Sequence, residues 1–131
     1  MQILEIETTS HTEMIDITAE IATAISKNNV KSGVCTIFVP HTTAGVTLNE
    51  NADPSVRKDF INVFEKLIPK YERYSHAEGN APAHIKSSIF GSSLNIIIED
   101  GKPVLGTWQG IFFCEFDGPR NRKIYLQITA T

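Results

Sequence analysis

The chain has 131 residues, of which 41% are hydrophobic and 21% charged, and its formal net charge is −3. Those values predict one soluble domain around a single core, residues 1–131 throughout. They exclude a broad basic surface for nucleic acid, and no apolar run approaches the roughly 20 residues that span a bilayer. The two cysteines, Cys35 and Cys114, lie in apolar runs and read as buried free thiols, which points to a reducing cytoplasm. The N-terminus starts directly with strand-like sequence, without a basic and apolar leader.

Gln2 to Thr9 alternates, with Leu4, Ile6 and Thr8 on one face and Glu5 and Glu7 on the other, which is a half-buried strand. Met14 to Ile17 either extends that strand or begins a helix. Ser10 and Glu13 have capping-box spacing, and Thr18 is an equally good start. Ile17, Ile21, Ala24 and Ile25 then share a helical face, which Lys27-Asn28-Asn29 ends. Val34 to Val39 has no polar alternation and is placed centrally in a sheet. Pro40 stops its pairing. Val46 and Leu48 point one way and Thr47 and Asn49 the other, a short further strand.

Asp53-Pro54 signals a helix start. Val56, Phe60, Val63, Phe64 and Leu67 fill one face of that helix, and Pro69 follows its end. Residues 70 to 83 are polar and predict a loop. Ala83 to Phe90 suits a short helix closed by Gly91. Leu94, Ile96 and Ile98 alternate before the hairpin turn Asp100-Gly101. Val104 to Phe116 reads as one long strand, Asp117-Gly118-Pro119 turns, and Ile124, Leu126 and Ile128 alternate in a last strand. Six or seven strands with two or three helices predict a single-domain antiparallel α+β fold.

The stretch Pro40 to Pro54 is unusually polar for a segment between two core elements. It carries His41, Asn49, Glu50 and Asn51. His76 and His84 follow in the polar loop. Three imidazoles suit zinc, whose catalytic sites often use three protein ligands and leave one position open. Against this stands the plainer reading of three surface loop histidines. Glu50 is the candidate acid or base, and Asn49 the candidate for orienting substrate. Both also read as polar groups at a helix entrance. Gly106 and Gly110 flank Thr107, Trp108 and Gln109, a pattern of close ligand approach or of sheet curvature around a core tryptophan. Glu115 shares strand parity with Gln109 and is a candidate inward carboxylate. Lys86, Arg120 and Arg122 are candidates for receiving phosphate. No Walker loop, dinucleotide fingerprint, nucleophile elbow or Cys-x-x-Cys pair is present.

His41-Thr42-Thr43-Ala44, Leu48-Asn49-Glu50-Asn51, Ala81-Pro82-Ala83-His84-Ile85-Lys86-Ser87-Ser88 and Gly106-Thr107-Trp108-Gln109-Gly110 together resemble the YjbQ family, the secondary thiamine-phosphate synthase enzymes. The resemblance runs through essentially the whole chain. It implies a β-sandwich-like α+β subunit, a homotrimer, sites in clefts between subunits and a metal held by histidines. It also implies a weak synthase activity, which joins an aminopyrimidine diphosphate to a thiazole phosphate and releases pyrophosphate. On this reading His41, His76 and His84 hold a divalent metal, zinc being the expected ion and magnesium an option with a diphosphate substrate. Two other functions suit the same residues. One is a metal-dependent hydrolase of a small phosphorylated metabolite, and the other a non-catalytic metal- or ligand-binding trimer.

Overall fold

A computed structural model describes all of residues 1–131. Eight strands and three helices follow in the order β1 (Gln2–Glu7), β2 (Glu13–Asp16), α1 (Thr18–Lys27), β3 (Gly33–Phe38), β4 (Ala44–Glu50), α2 (Pro54–Leu67), α3 (Ala81–Phe90), β5 (Ser93–Glu99), β6 (Lys102–Pro103), β7 (Gln109–Glu115) and β8 (Asn121–Ala130). They make two antiparallel sheets. One has the order β1-β8-β3-β5-β6 and the other β2-β7-β4. The α+β sandwich expected from the sequence is the observed fold. No helix is long and apolar enough to cross a membrane.

Strand parity explains the layers. On β7, Ile111, Phe113 and Glu115 point toward the larger sheet. Phe112 and Cys114, followed by Phe116, point the other way, and this strand is buried on both sides. The first set joins Ile21 and Ile25 of α1, Cys35 and Ile37 of β3, and Ile124 and Leu126 of β8 in the main core. The second set packs with Met14 and Ala83 and against Phe60 and Phe90. The small sheet is therefore the middle layer, between the large sheet and the pair α2–α3. Each fully buried Ile or Phe here contributes about 1.5–3 kcal/mol of hydrophobic stabilisation.

Local chemistry sets the element ends. Asp16 Oδ1 accepts from the Thr18 N–H at 2.9 Å and from its hydroxyl at 2.5 Å, so α1 starts at Thr18. Asp53 Oδ1 accepts from the Ser55 N–H at 2.9 Å, the expected cap of α2. Gly91, at φ +96°, closes α3, a backbone angle that side-chain-bearing residues resist. Asp100 and Gly101 both have positive φ in the β5–β6 turn.

Several expectations need correction. Met14 to Asp16 neither extends β1 nor starts a helix; it pairs with Phe112 to Cys114 as the separate strand β2. The span Val104 to Phe116 is not one strand. Gln109 turns back on Gly106, whose N–H donates to Gln109 Oε1 at 2.8 Å, and only then does β7 begin. β3 is central, as expected, but only its Gly33-Cys35-Ile37 face is buried. Phe38 is exposed, because nothing covers the far side of the large sheet within one chain. Likewise α2 forms, yet no residue of it is fully buried. Phe60 and Phe64 reach Phe90, while Val63 and Leu67 stay exposed.

Candidate functional site

His41 follows β3 directly, at the end of the sandwich where Ala44 of β4 pairs with Glu115 of β7. Its Nε2 accepts from the Lys123 backbone N–H at 2.9 Å. Burial, with the Arg122 guanidinium adding to it, lowers the pKa of this ring below 6.5. The ring is thus neutral near pH 7, as an accepting Nε2 requires. The next residue, Thr42, is tied to α3: its carbonyl accepts from Ser87 Oγ at 2.6 Å. On α3, His84, Ser87, Ser88 and Gly91 recur at helical spacing and share one face. A cleft of about 460 Å³ results, lined by His41, Thr42, His84, Ser87, Ser88 and Ser92 without one apolar side chain. α3 can lie this close because Gly45 faces the Gly91 carbonyl; a Cβ on Gly45 would come within 2.8 Å of that oxygen.

Behind His41 lies a closed polar network. Glu115 is 0% exposed and Arg122 5%. Glu115 Oε1 accepts from Thr8 Oγ1 at 2.7 Å and Arg122 Nε at 2.9 Å. Its Oε2 accepts from the N–H groups of Phe116 and Asp117, both at 3.1 Å, and from Arg122 Nη2. Arg122 Nη2 also donates to Thr43 Oγ1 at 2.8 Å. Burial by itself raises the Glu115 pKa; the hydrogen bonds from Arg122, Thr8 and Asp117 outweigh it and leave the carboxyl below its ordinary value. Glu115 does point inward, as its parity indicated. Within one chain, though, it and Arg122 satisfy each other and join β1, β7, β8 and the Thr43 turn. Arg120 is engaged as well, with Asp117 Oδ2 at 2.9 Å. Lys86 donates to Glu65 Oε1 at 2.8 Å.

The three histidines are only partly gathered. The rings of His76 and His84 meet edge to face, 5.0 Å between centroids, and His76 also lies 3.8 Å from Glu78. His41 and His84 share the cleft. No group of three or more His, Cys, Asp or Glu side chains is placed to hold an ion within one chain. The donor chemistry suits zinc, with two imidazoles already adjacent. His41 would have to release the Lys123 amide to offer Nε2 as a third ligand, because a neutral ring that accepts at Nε2 carries its proton on Nδ1.

Glu50, Asn49, Thr107, Trp108 and Gln109 lie elsewhere. Glu50 pairs with Gln109 at the opposite end of the β4–β7 ladder from Ala44 and Glu115. Six residue steps of strand put the two ends about 20 Å apart. There Asn49 Oδ1 accepts from the Glu50 N–H at 2.7 Å, and the Asn51 N–H donates to the Trp108 carbonyl at 3.1 Å. Trp108 is 63% exposed, so it is no core residue. Sequence reasoning missed the cleft hydroxyls of Thr42, Ser87, Ser88 and Ser92. The pair Ser87-Ser88 was readable, three and four residues after His84. It also missed Thr8 and Thr43, whose role depends on contacts distant in sequence.

A family model for the UPF0047 protein YjbQ-like domain matches residues 2–131. A UPF0047 protein of Methanocaldococcus jannaschii is 60% identical over 124 residues, 95% of this chain and 90% of that one. The UPF0047 protein YugU of Bacillus subtilis is 50% identical over 129 residues, 98% of each chain. Among solved structures, a YjbQ/UPF0047 family protein of Clostridium acetobutylicum superposes with a TM-score of 0.96 at 49% identity, over 98% of this chain and 100% of that one. A YbjQ-like protein of unknown function from Sulfolobus solfataricus gives 0.95 at 31% identity, over 99% and 96%. Fold and full-length similarity agree, and the chain belongs to the YjbQ-like UPF0047 family.

Proposed function

We propose that the chain is a metal-dependent transferase of the secondary thiamine-phosphate synthase type, working as a homotrimer on small phosphorylated metabolites. The observation that carries this reading is the wholly polar cleft in which His41 and His84 meet three serine hydroxyls and a threonine. Hydroxyls are donors to phosphate oxygens, and neutral imidazoles are metal ligands. A bound divalent metal supplies positive charge against the phosphate oxygens of the leaving group.

The chain's own groups do the rest. Ser88 and Ser92 donate to diphosphate oxygens from the cleft wall. Ser87 holds the Thr42 carbonyl and keeps the cleft open at fixed width. The Glu115–Arg122 pair keeps the β8 backbone in place, so that Lys123 fixes the tautomer of His41. In the overall step the bond from the aminopyrimidine methylene carbon to pyrophosphate oxygen breaks, and a bond from that carbon to the thiazole nitrogen forms. Pyrophosphate leaves with the bonding electron pair. A hydrolytic reading needs a free base beside the histidines, and one chain by itself does not bring one there. Glu115 is taken by Arg122, and Glu50 is about 20 Å away along β4.

The test is to purify the protein without a histidine tag, measure its metal, and follow pyrophosphate release from the two substrates with metal supplied. Wild type should retain a divalent metal and release pyrophosphate. His76→Ala and His84→Ala should lose both while remaining folded. Metal-loaded wild type that released no more pyrophosphate than the protein-free control would overturn the synthase reading.

A further inference from the structure

The face of α3 turned away from the histidine cleft borders a second cavity of about 250 Å³. Its walls include Lys86, Lys70, His11, Glu65, Asn80 and Phe116. We propose that this cavity binds the phosphate group of a small phosphorylated metabolite, as an anion subsite separate from the histidine cleft.

Lys86 is only 3% exposed. A buried ammonium has three N–H donors and must satisfy them locally. One goes to Glu65 Oε1 at 2.8 Å. No second acceptor takes the others, and the nearest aromatic face is Phe116, with its centroid 6.0 Å from Nζ. Glu65 itself is partly exposed, so the pair is not sealed as Glu115–Arg122 is. Two donors of a desolvated cation are therefore left over at a residue that lines both this cavity and the narrow apolar pocket beside it, and attraction to an anion there is screened far less than at the surface.

The other walls are mixed: the buried Asn80 Oδ1 has no donor and disfavours an anion, while the second lysine favours one. Lys70 adds a second cation from the loop after α2. Asn80, just before α3, and Pro82 and Ala83 of its first turn complete the wall; Pro82 has no N–H and the Ala83 N–H donates to the Asn80 carbonyl at 3.0 Å, so the helix end adds only its dipole. Counting Lys70 and Lys86 against Glu65, the lining carries a surplus of positive charge in a chain whose net charge is −3. Asp117 stands nearby, but its Oδ2 is held by Arg120 and by Asn80 Nδ2, both at 2.9 Å. A tetrahedral phosphate has enough oxygens to meet both lysines together.

The substrate class rests on the proposed phosphate chemistry. The cavity contains none of the three candidate metal histidines, so its occupancy is testable without metal. The experiment is titration calorimetry of metal-free, tag-free protein with inorganic phosphate and with pyrophosphate. Wild type should bind one of these saturably, one per chain. Lys70→Ala should weaken binding by roughly fivefold, the effect of losing one partly screened charge. Glu65→Gln should tighten it by roughly tenfold, because the carboxylate no longer competes for Lys86. Lys86→Met should abolish binding; if that variant does not fold, the first two decide. No saturable binding by wild type, or affinities unchanged in both Lys70→Ala and Glu65→Gln, would overturn the assignment. Binding that persists while synthase activity is absent would sink the transferase reading and leave this subsite standing.

Discussion

Replacing Arg122 with Met should be among the most damaging single changes in the molecule, and its cost should depend on pH in a defined direction. Arg122 is buried and supplies two charge-assisted donors to Glu115 and one to Thr43 Oγ1. Without it, a carboxylate that is 0% exposed keeps only the Thr8 hydroxyl and two backbone N–H groups. Removing one partner of such a pair costs about 3–5 kcal/mol, or a fall on the order of 10 °C in Tm for a chain of this size. In wild type the folded Glu115 pKa lies below the ordinary value of 4.5. Its stabilisation is therefore complete above pH 4.5 and is lost as pH falls through the lowered pKa. In the variant, burial without the guanidinium raises the pKa instead. Its penalty is largest near pH 7 and shrinks as the carboxyl protonates on the way down to pH 4.5. Urea unfolding followed by circular dichroism, at both pH values and one protein concentration, measures the difference. A cost below about 1 kcal/mol near pH 7 would place the pair among exposed salt bridges. A cost equal at the two pH values would show that lost packing, not the stranded charge, is responsible.

The His41 ring should titrate below 6.5 by NMR, and Arg122→Met should raise its pKa, since the guanidinium is one of the groups holding it down. Cys35 and Cys114, whose pKa values burial pushes up to about 11 and about 12, should resist thiol reagents in the folded protein and react on unfolding. Cys114→Ala should leave activity intact. Gly45→Ala should cost about 1–3 kcal/mol in urea unfolding, because its Cβ would press on the Gly91 backbone 2.8 Å away.

The order and type of most elements were legible because their signals are local. Asp53-Pro54 marked α2, Asp100-Gly101 the hairpin, and Gly91 the end of α3. The failures were of another kind. Met14-Ile15-Asp16 becomes a strand because β7 offers it a partner almost a hundred residues later, which no local pattern announces. The exposed faces of β3 and α2 looked like core from composition alone. Their apolar residues are counted correctly, but nothing in the chain's own fold covers them. The candidate site divides similarly. His41 and His84 come together because both flank the start of β4. Arg120 and Arg122 looked like free cations because their carboxylate partners, Asp117 and Glu115, are fixed by turn geometry and strand register, respectively. Lys70, Asn80 and Glu65 gave no sequence signal, since their meeting depends on how the polar loop packs on α2 and α3.

Within one chain the Glu50–Trp108 end and the His41–His84 end are about 20 Å apart along a rigid ladder, and no loop movement joins them. In a cyclic trimer the interface is head to tail, so one end of a subunit meets a different surface of the next. If the reaction uses both ends, each working site takes its histidines from one subunit and Glu50 from its neighbour. His84→Ala and Glu50→Ala should then each be inactive as pure proteins. Co-expressed in equal amounts, with mixed trimers confirmed by native mass spectrometry, they should recover activity. Random assembly makes about a quarter of the interfaces intact, because each needs one particular subunit on each side. Full activity in pure Glu50→Ala would remove that residue from the chemistry. Mixed trimers without recovery would refute a site shared between subunits.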